Sequence, residues 1–192
     1  MKLKPLHAGA LAAAILAAVS VWAFAAFPGL MIWAAFIGWA SYDQSGANRK
    51  ALVTSSVCMV FGVVMAWLVA ISVVGDWLRL RASISSAIAA GIASFFIVLA
   101  SRFEVLSNVP ATFCGFASAF AFLTLEPHAF SMLSMSQASL SNVLIVVPIS
   151  LLIGSGLGVL HGYLAAKLTA PEHRAPGAHS LRLSPLQSSA HK

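Results

Sequence analysis

Six stretches of this chain contain no Asp, Glu, Lys or Arg: Leu6–Phe27, Gly29–Tyr42, Ala51–Gly75, Ala82–Ser101, Val105–Leu125 and Val143–Ala166. A bilayer hydrocarbon core about 30 Å thick is crossed by roughly 20 helical residues. All but the second stretch reach or approach that length, and the second is joined to the first by Pro28-Gly29. Of 192 residues, 60% are hydrophobic and 8% are charged, against about 25% charged in a soluble domain. A water-soluble core of this size could not hide so much apolar surface. The expected fold is therefore all-α and polytopic: six apolar segments, four to six crossings with six preferred, in one membrane domain over residues 1–168. Residues 169–192 lack apolar periodicity and read as a disordered cytoplasmic tail.

The net charge of +6 does not point to nucleic acid, because the 11 Lys and Arg sit mainly at segment ends and termini, where cations meet lipid head groups. The bilayer is the expected partner. Lys2, Lys4 and the alanine-rich run before Ala23-Phe24-Ala25 have the outline of a signal peptide. An uncleaved first span would do the same targeting work, and it is the reading preferred here. With six crossings and an inside N-terminus, Lys2, Lys4, Arg49, Lys50, Arg102, Lys167, Arg174, Arg182 and Lys192 lie inside, against Arg79 and Arg81 outside. If the second and fifth runs instead dip in and return, Arg49, Lys50 and Arg102 change places with that pair. Both schemes put both termini in the cytoplasm of a bacterial inner membrane, and the first fits the positive-inside rule slightly better.

Phe36-Ile37-Gly38-Trp39-Ala40-Ser41 and Phe113-Cys114-Gly115-Phe116-Ala117-Ser118 share the pattern F-x-G-aromatic-A-S. The same shift carries the first run onto the fourth, and the third maps onto the sixth once the loop Glu126–Asn142 is allowed for. This suggests two halves, 6–75 and 82–166, each of three runs. They are inverted if every run crosses and parallel if the middle runs re-enter. Inverted repeats are a recurring transporter design, with binding where helices break. Pro28 and Pro110 sit at or near the starts of the middle runs. The candidate solute-site or helix-break residues are thus Pro28, Gly38, Ser41, Asn108, Pro110, Thr112, Gly115 and Ser118. The alternative reading is structural: proline starts a helix well and small polar residues tie helices together. Gly154, Gly158 and Gly162 share a helix face and are expected to admit a neighbouring backbone, within the chain or in a homo-oligomer.

Other chemistry finds little support. Asp43, Asp76, Glu104 and Glu126 all fall at run boundaries, which weakens a proton relay; Arg102 and Glu104 are close enough in sequence to pair. Cys58 and Cys114 read as small buried hydrophobes, and His161 as an interfacial histidine without a second inward histidine for haem. The histidines of the tail are too scattered for a metal tract. No cofactor or metal is expected. No nucleophile turn, zinc motif or acid pair is present, so no enzyme is expected. Trp22, Trp33, Trp39, Trp67 and Trp77 mostly lie near segment ends, as interfacial anchors do. The leading functional expectation is a channel or transporter for a small solute; the alternative is a non-transporting scaffold or accessory subunit.

The stretch Trp33-Ala34-Ala35-Phe36-Ile37-Gly38-Trp39-Ala40-Ser41-Tyr42, with Asn108-Val109-Pro110-Ala111-Thr112-Phe113-Cys114-Gly115, resembles a family of small bacterial inner-membrane proteins catalogued as domain of unknown function 1097. The likeness covers roughly Leu11 to Leu164. It implies a multi-pass inner-membrane protein and no assigned activity. Family members often carry a glycine pair after the first motif, where this chain has Ser45-Gly46-Ala47.

Overall fold

The computed structural model describes residues 3–27 and 29–169. Pro28 and residues 170–192, the bulk of the expected tail, lie outside the described residues. Seven α-helices follow in order: α1 Pro5–Ala25, α2 Ile32–Gln44, α3 Arg49–Val74, α4 Ala82–Ala100, α5 Val109–Leu125, α6 Met132–Ser136 and α7 Val143–Leu168. Among the described residues there is no strand beyond a single bridge between Leu3 and Thr169. Thr169, expected to begin the tail, is instead fixed to α7 through Ala165. Four helices, α1, α3, α4 and α7, are long and apolar enough to cross a membrane, and α5 is a shorter apolar helix.

What each helix hides marks its surroundings. Helix α4 buries Ser85, Ala93 and Ile97 while exposing Ile84, Ile88, Ile92, Phe95, Phe96, Val98 and Leu99. Helix α1 turns Ala8, Ala12, Leu16 and Ser20 inward and leaves Leu6, Leu11, Ile15, Val19 and Trp22 outside. Apart from Leu16 and Ile97, the residues these two helices turn to protein are alanines and serines, whereas their exposed faces carry most of their large apolar side chains. In water this arrangement would leave the largest apolar groups unburied; in lipid, small residues belong at helix contacts.

Contacts fix the direction of each helix. Leu3 meets Leu168, and Gly9 meets His161, so α1 and α7 run antiparallel with the start of α1 and the end of α7 at one end of the bundle, the terminal end. Met31 N–H donates to Ser150 Oγ and Tyr42 lies against Gly158, so α2 runs alongside α7 in the same sense. Lys50 reaches Glu104 just before α5, and Trp67 Nε1 donates to the Met135 carbonyl just beyond it. Helices α3 and α5 therefore also run in the same sense, away from the terminal end. Helix α4 returns along α3.

Two helix crossings organise the interior. In one, a methyl at Gly38 of α2 would overlap the Leu151 carbonyl of α7, and a methyl at Gly154 would overlap the Ala35 carbonyl. In the other, a methyl at Gly115 of α5 would overlap the Met59 carbonyl of α3, and a methyl at Gly62 would overlap that of Thr112. Gly158 lies against Trp39 and Tyr42. Gly162 has open space where its Cβ would stand, so no helix among the described residues of the same chain packs closely on it: α2 ends at Gln44, before that level of α7. The pairing expected between Arg102 and Glu104 is also corrected. A 3-10 turn at Glu104–Leu106 carries the carboxylate to Lys50 Nζ (2.8 Å), and the Arg102 guanidinium sits over the Phe103 ring. Trp39, expected near an interface, is buried, whereas Trp22 and Trp77 are exposed.

Between α2 and α3, Gly46 and Ala47 both adopt positive φ, +106° and +50°. The turn thus keeps a shape suited to two glycines, with alanine strained at the second.

Alanine at Gly38, Gly62, Gly115 or Gly154 should destabilise the protein by about 1–3 kcal/mol, the range for forced overpacking, while G162A should be neutral, as read by thermal melting in detergent. Relieving the left-handed alanine with A47G should raise stability by roughly 0.5–1 kcal/mol in the same assay.

Candidate functional site

The short helices α2 and α5 begin at opposite ends of the bundle, and each start is held from outside its own helix. Ahead of α5, Asn108 accepts from Ala111 N–H (3.1 Å) as N-cap while its Nδ2 donates to Ser45 Oγ (2.7 Å) at the end of α2. Pro110 occupies the first turn, where no donor is lost. Thr112 is buried and donates to the Asn108 carbonyl (3.3 Å). Ahead of α2, Met31 N–H is taken by Ser150 of α7 (3.0 Å), and Gly29 turns the chain with φ +106°. Cys58 of α3 similarly donates its thiol to the Val105 carbonyl on the approach to α5 (3.4 Å).

Beside each start lies a cavity. At the terminal end, about 380 Å³ is lined by Ser45, Asn48, Lys50, Thr54, Ser107 and Asn108, among others. At the far end, about 500 Å³ is lined by residues including Gly29, Met31, Phe122, Glu126, His128 and Ser141. A third hollow of about 310 Å³, between α3 and α4, is walled almost wholly by apolar side chains such as Leu68, Ile92 and Phe96, several of which face outward. Its chemistry suits an acyl chain rather than a polar solute.

Between the two polar cavities, three hydroxyls stand apart. A serine or threonine in a helix has a ready partner in the carbonyl one turn back. Ser150, Ser155 and Thr112 use it. Ser41, Ser55 and Ser118 are each at most 3% exposed, and no protein atom among the described residues accepts from or donates to their hydroxyl oxygens. Leaving a buried hydroxyl unpaired costs about 1–3 kcal/mol. Ser41 and Ser118 are the closing residues of the two F-x-G-aromatic-A-S blocks.

Charge is confined to the rims. Lys50 and Glu104 are largely exposed, and the hydrogen bond and charge of Lys50 hold the Glu104 carboxyl below its usual range. That linkage favours the folded state above the ordinary carboxylate pKa and fades as pH falls through the lowered one, weakly because solvent screens it. His161 Nε2 lies 3.2 Å from the Gly9 carbonyl, and its ring packs 5.2 Å from that of Trp39. Among the described residues no three His, Cys, Asp or Glu side chains come together as metal ligands.

Of the residues singled out in the sequence, the structure gathers Asn108, Pro110 and Thr112 at one helix start. It places Gly38 and Gly115 at the two crossings, and Ser41 and Ser118 one turn beyond those glycines. Pro28 lies outside the described residues. Gly62 and Ser55 were not singled out; Gly62 is a lone glycine inside an apolar run, and Ser55 is the middle of Thr54-Ser55-Ser56 in the same run.

An all-helical bundle with four helices fit to span a bilayer, and with large apolar residues exposed along α1 and α4, has the makings of a polytopic membrane protein. Residues 10–166 match the family model described as "Protein of unknown function (DUF1097)", and the chain belongs to that family. No curated protein and no solved structure matches it.

Replacing Asn108 by Ala removes a cap and the link to Ser45. Stability should fall by about 1–2 kcal/mol, whereas N108D, which keeps the capping oxygen, should recover part of the loss in the same melting assay.

Proposed function

We propose that this protein is a channel or transporter for a small solute in a bacterial inner membrane, built from two inverted halves, α1–α3 and α4–α7, with both termini cytoplasmic. The observation that carries it is an exchange of partners between the halves. The shift in sequence that takes Gly38 to Gly115 also takes Ala35 to Thr112, and the shift that takes Gly62 to Gly154 also takes Met59 to Leu151. Each contact at one crossing therefore has its counterpart at the other. The same shifts relate Cys58 to Ser150, which hold the two short-helix starts. Helices of the two halves run in opposite senses, and the polar cavities open at opposite ends. That is the geometry of inverted-repeat transporters, where access alternates about a central site.

Six crossings follow in this reading, with α2 and α5 as short spans sheltered by longer neighbours. Lys4, Arg49, Lys50, Arg102 and Lys167 gather at the terminal end, against Arg79 and Arg81 at the far end, which favours a cytoplasmic terminal end. The second reading is an accessory subunit, favoured by Gly156 and Gly162, which leave backbone open on the outside of α7; it would bring a stoichiometric partner through purification.

Single cysteines in a background free of Cys58 and Cys114 should settle the crossings. Cysteine at Asp43 should react with an impermeant reagent from the cytoplasmic side and cysteine at Arg81 from the outer side. The reverse would mean that the middle runs re-enter. Solute flux no greater than that of empty liposomes across neutral and ionic solutes would overturn the transport reading.

A further inference from the structure

We propose that Ser41, Ser55 and Ser118 are the polar steps along which a small uncharged, hydrogen-bonding solute moves between the two cavities; this deepens, and rests on, the transport reading above. Position is the first argument. Ser41 lies one helical turn inward of Ser45, and Ser55 one turn inward of Ala51, both of which line the cavity at the terminal end. Ser118 lies one turn inward of Phe122, which lines the cavity at the far end. Residues four apart share a helix face, so each serine continues a cavity wall into the bundle.

Chemistry is the second argument. These three hydroxyls forgo both the carbonyl of their own helix and any neighbouring side chain, in a setting where an unpaired polar group is costly. A passing hydrogen-bonding molecule would satisfy them in turn. Every buried polar side chain among the described residues is uncharged: Ser, Thr or Asn. An ion entering the bundle would find no counter-charge there, and an uncompensated charge in such a medium is strongly disfavoured. Apolar core side chains such as Met59, Val63 and Leu151 fill the centre between the crossings, which restricts the solute to few heavy atoms.

The test uses the full chain in proteoliposomes. Water, urea and glycerol permeation are followed by stopped-flow light scattering, and potassium and chloride flux by entrapped dyes. The wild type should pass at least one neutral solute and neither ion. S41A, S55A and S118A should each cut neutral flux roughly five- to tenfold, the worth of one ordinary hydrogen bond. Melting in detergent should stay level or rise, because an unpaired buried hydroxyl has been removed. Ion flux through the wild type would overturn the solute class and leave transport standing. Neutral flux unchanged in the triple Ser→Ala variant, or lost only in step with lowered melting, would overturn the role of the hydroxyls. No flux of any solute would overturn the transport reading, and this inference with it.

Discussion

Backbone seated against backbone, at two helix crossings, is the contact on which the rest of this bundle depends. Within a membrane the apolar effect that gathers helices in water is absent, so helices hold together by close packing and short-range polar contacts. Gly38 and Gly154 bring α2 against α7; Gly62 and Gly115 bring α3 against α5. At such distances a Cα–H faces a carbonyl, a weak contact that recurs where helices touch, and dispersion acts along the whole crossing. The short helices α2 and α5 gain neighbours this way that their own length could not secure. The long helices α1 and α4 then close on the outside, with their large side chains turned to lipid.

Tight crossings also decide where polarity can sit. With backbones in contact at the glycines, the neighbouring turns carry small residues such as Ala34, Ala35, Ala111, Ala119, Ser150 and Ser155, and hydroxyls among them fold back onto a carbonyl. The three that do not are flaws if the bundle is only a scaffold, because each gives up stability. They are assets if something polar must visit the interior. Sites that sacrifice stability for function are where local rules are expected to fail. The starts of α2 and α5, held by side chains, add a related feature: the polar cavities form beside broken backbone whose free groups are met by Ser150, Asn108 and Cys58.

Much of the architecture was legible in the sequence, because charge is excluded from lipid. The six apolar runs of the chain coincide closely with α1 to α5 and α7, and Pro5, Pro110, Asn48, Asn108 and Asn142 stand where helices start. The paired F-x-G-aromatic-A-S blocks were legible as a likeness, but their physical meaning was not. Nothing in the spacing says that Gly38 meets Leu151, which is far away along the chain. Gly62 carries no local signal, since a single glycine in an apolar run is ordinary, and nothing sets Ser55 apart from Thr54 and Ser56 beside it. Gly162 looked like its helical neighbours Gly154 and Gly158, but the partner helix ends first. Glu104 was assigned to Arg102 by proximity, whereas the 3-10 turn hands it to Lys50 on α3.

The exchange of partners also bears on how the chain is made. Helix α2 is the shortest of the principal helices, and its main neighbour is α7, the last to be synthesised. While the chain from Arg49 to Asn142 emerges, α2 must wait in or beside the bilayer without the surface that completes it. Helix α3 waits less, because α5 follows soon after. Assembly is thus ordered from the inside of the sequence outward: the α3–α5 crossing can form during synthesis, and the α2–α7 crossing only when the last helix enters. A chain cut short before α7 would leave α2, with its buried tryptophan and tyrosine, exposed for recognition by membrane quality control.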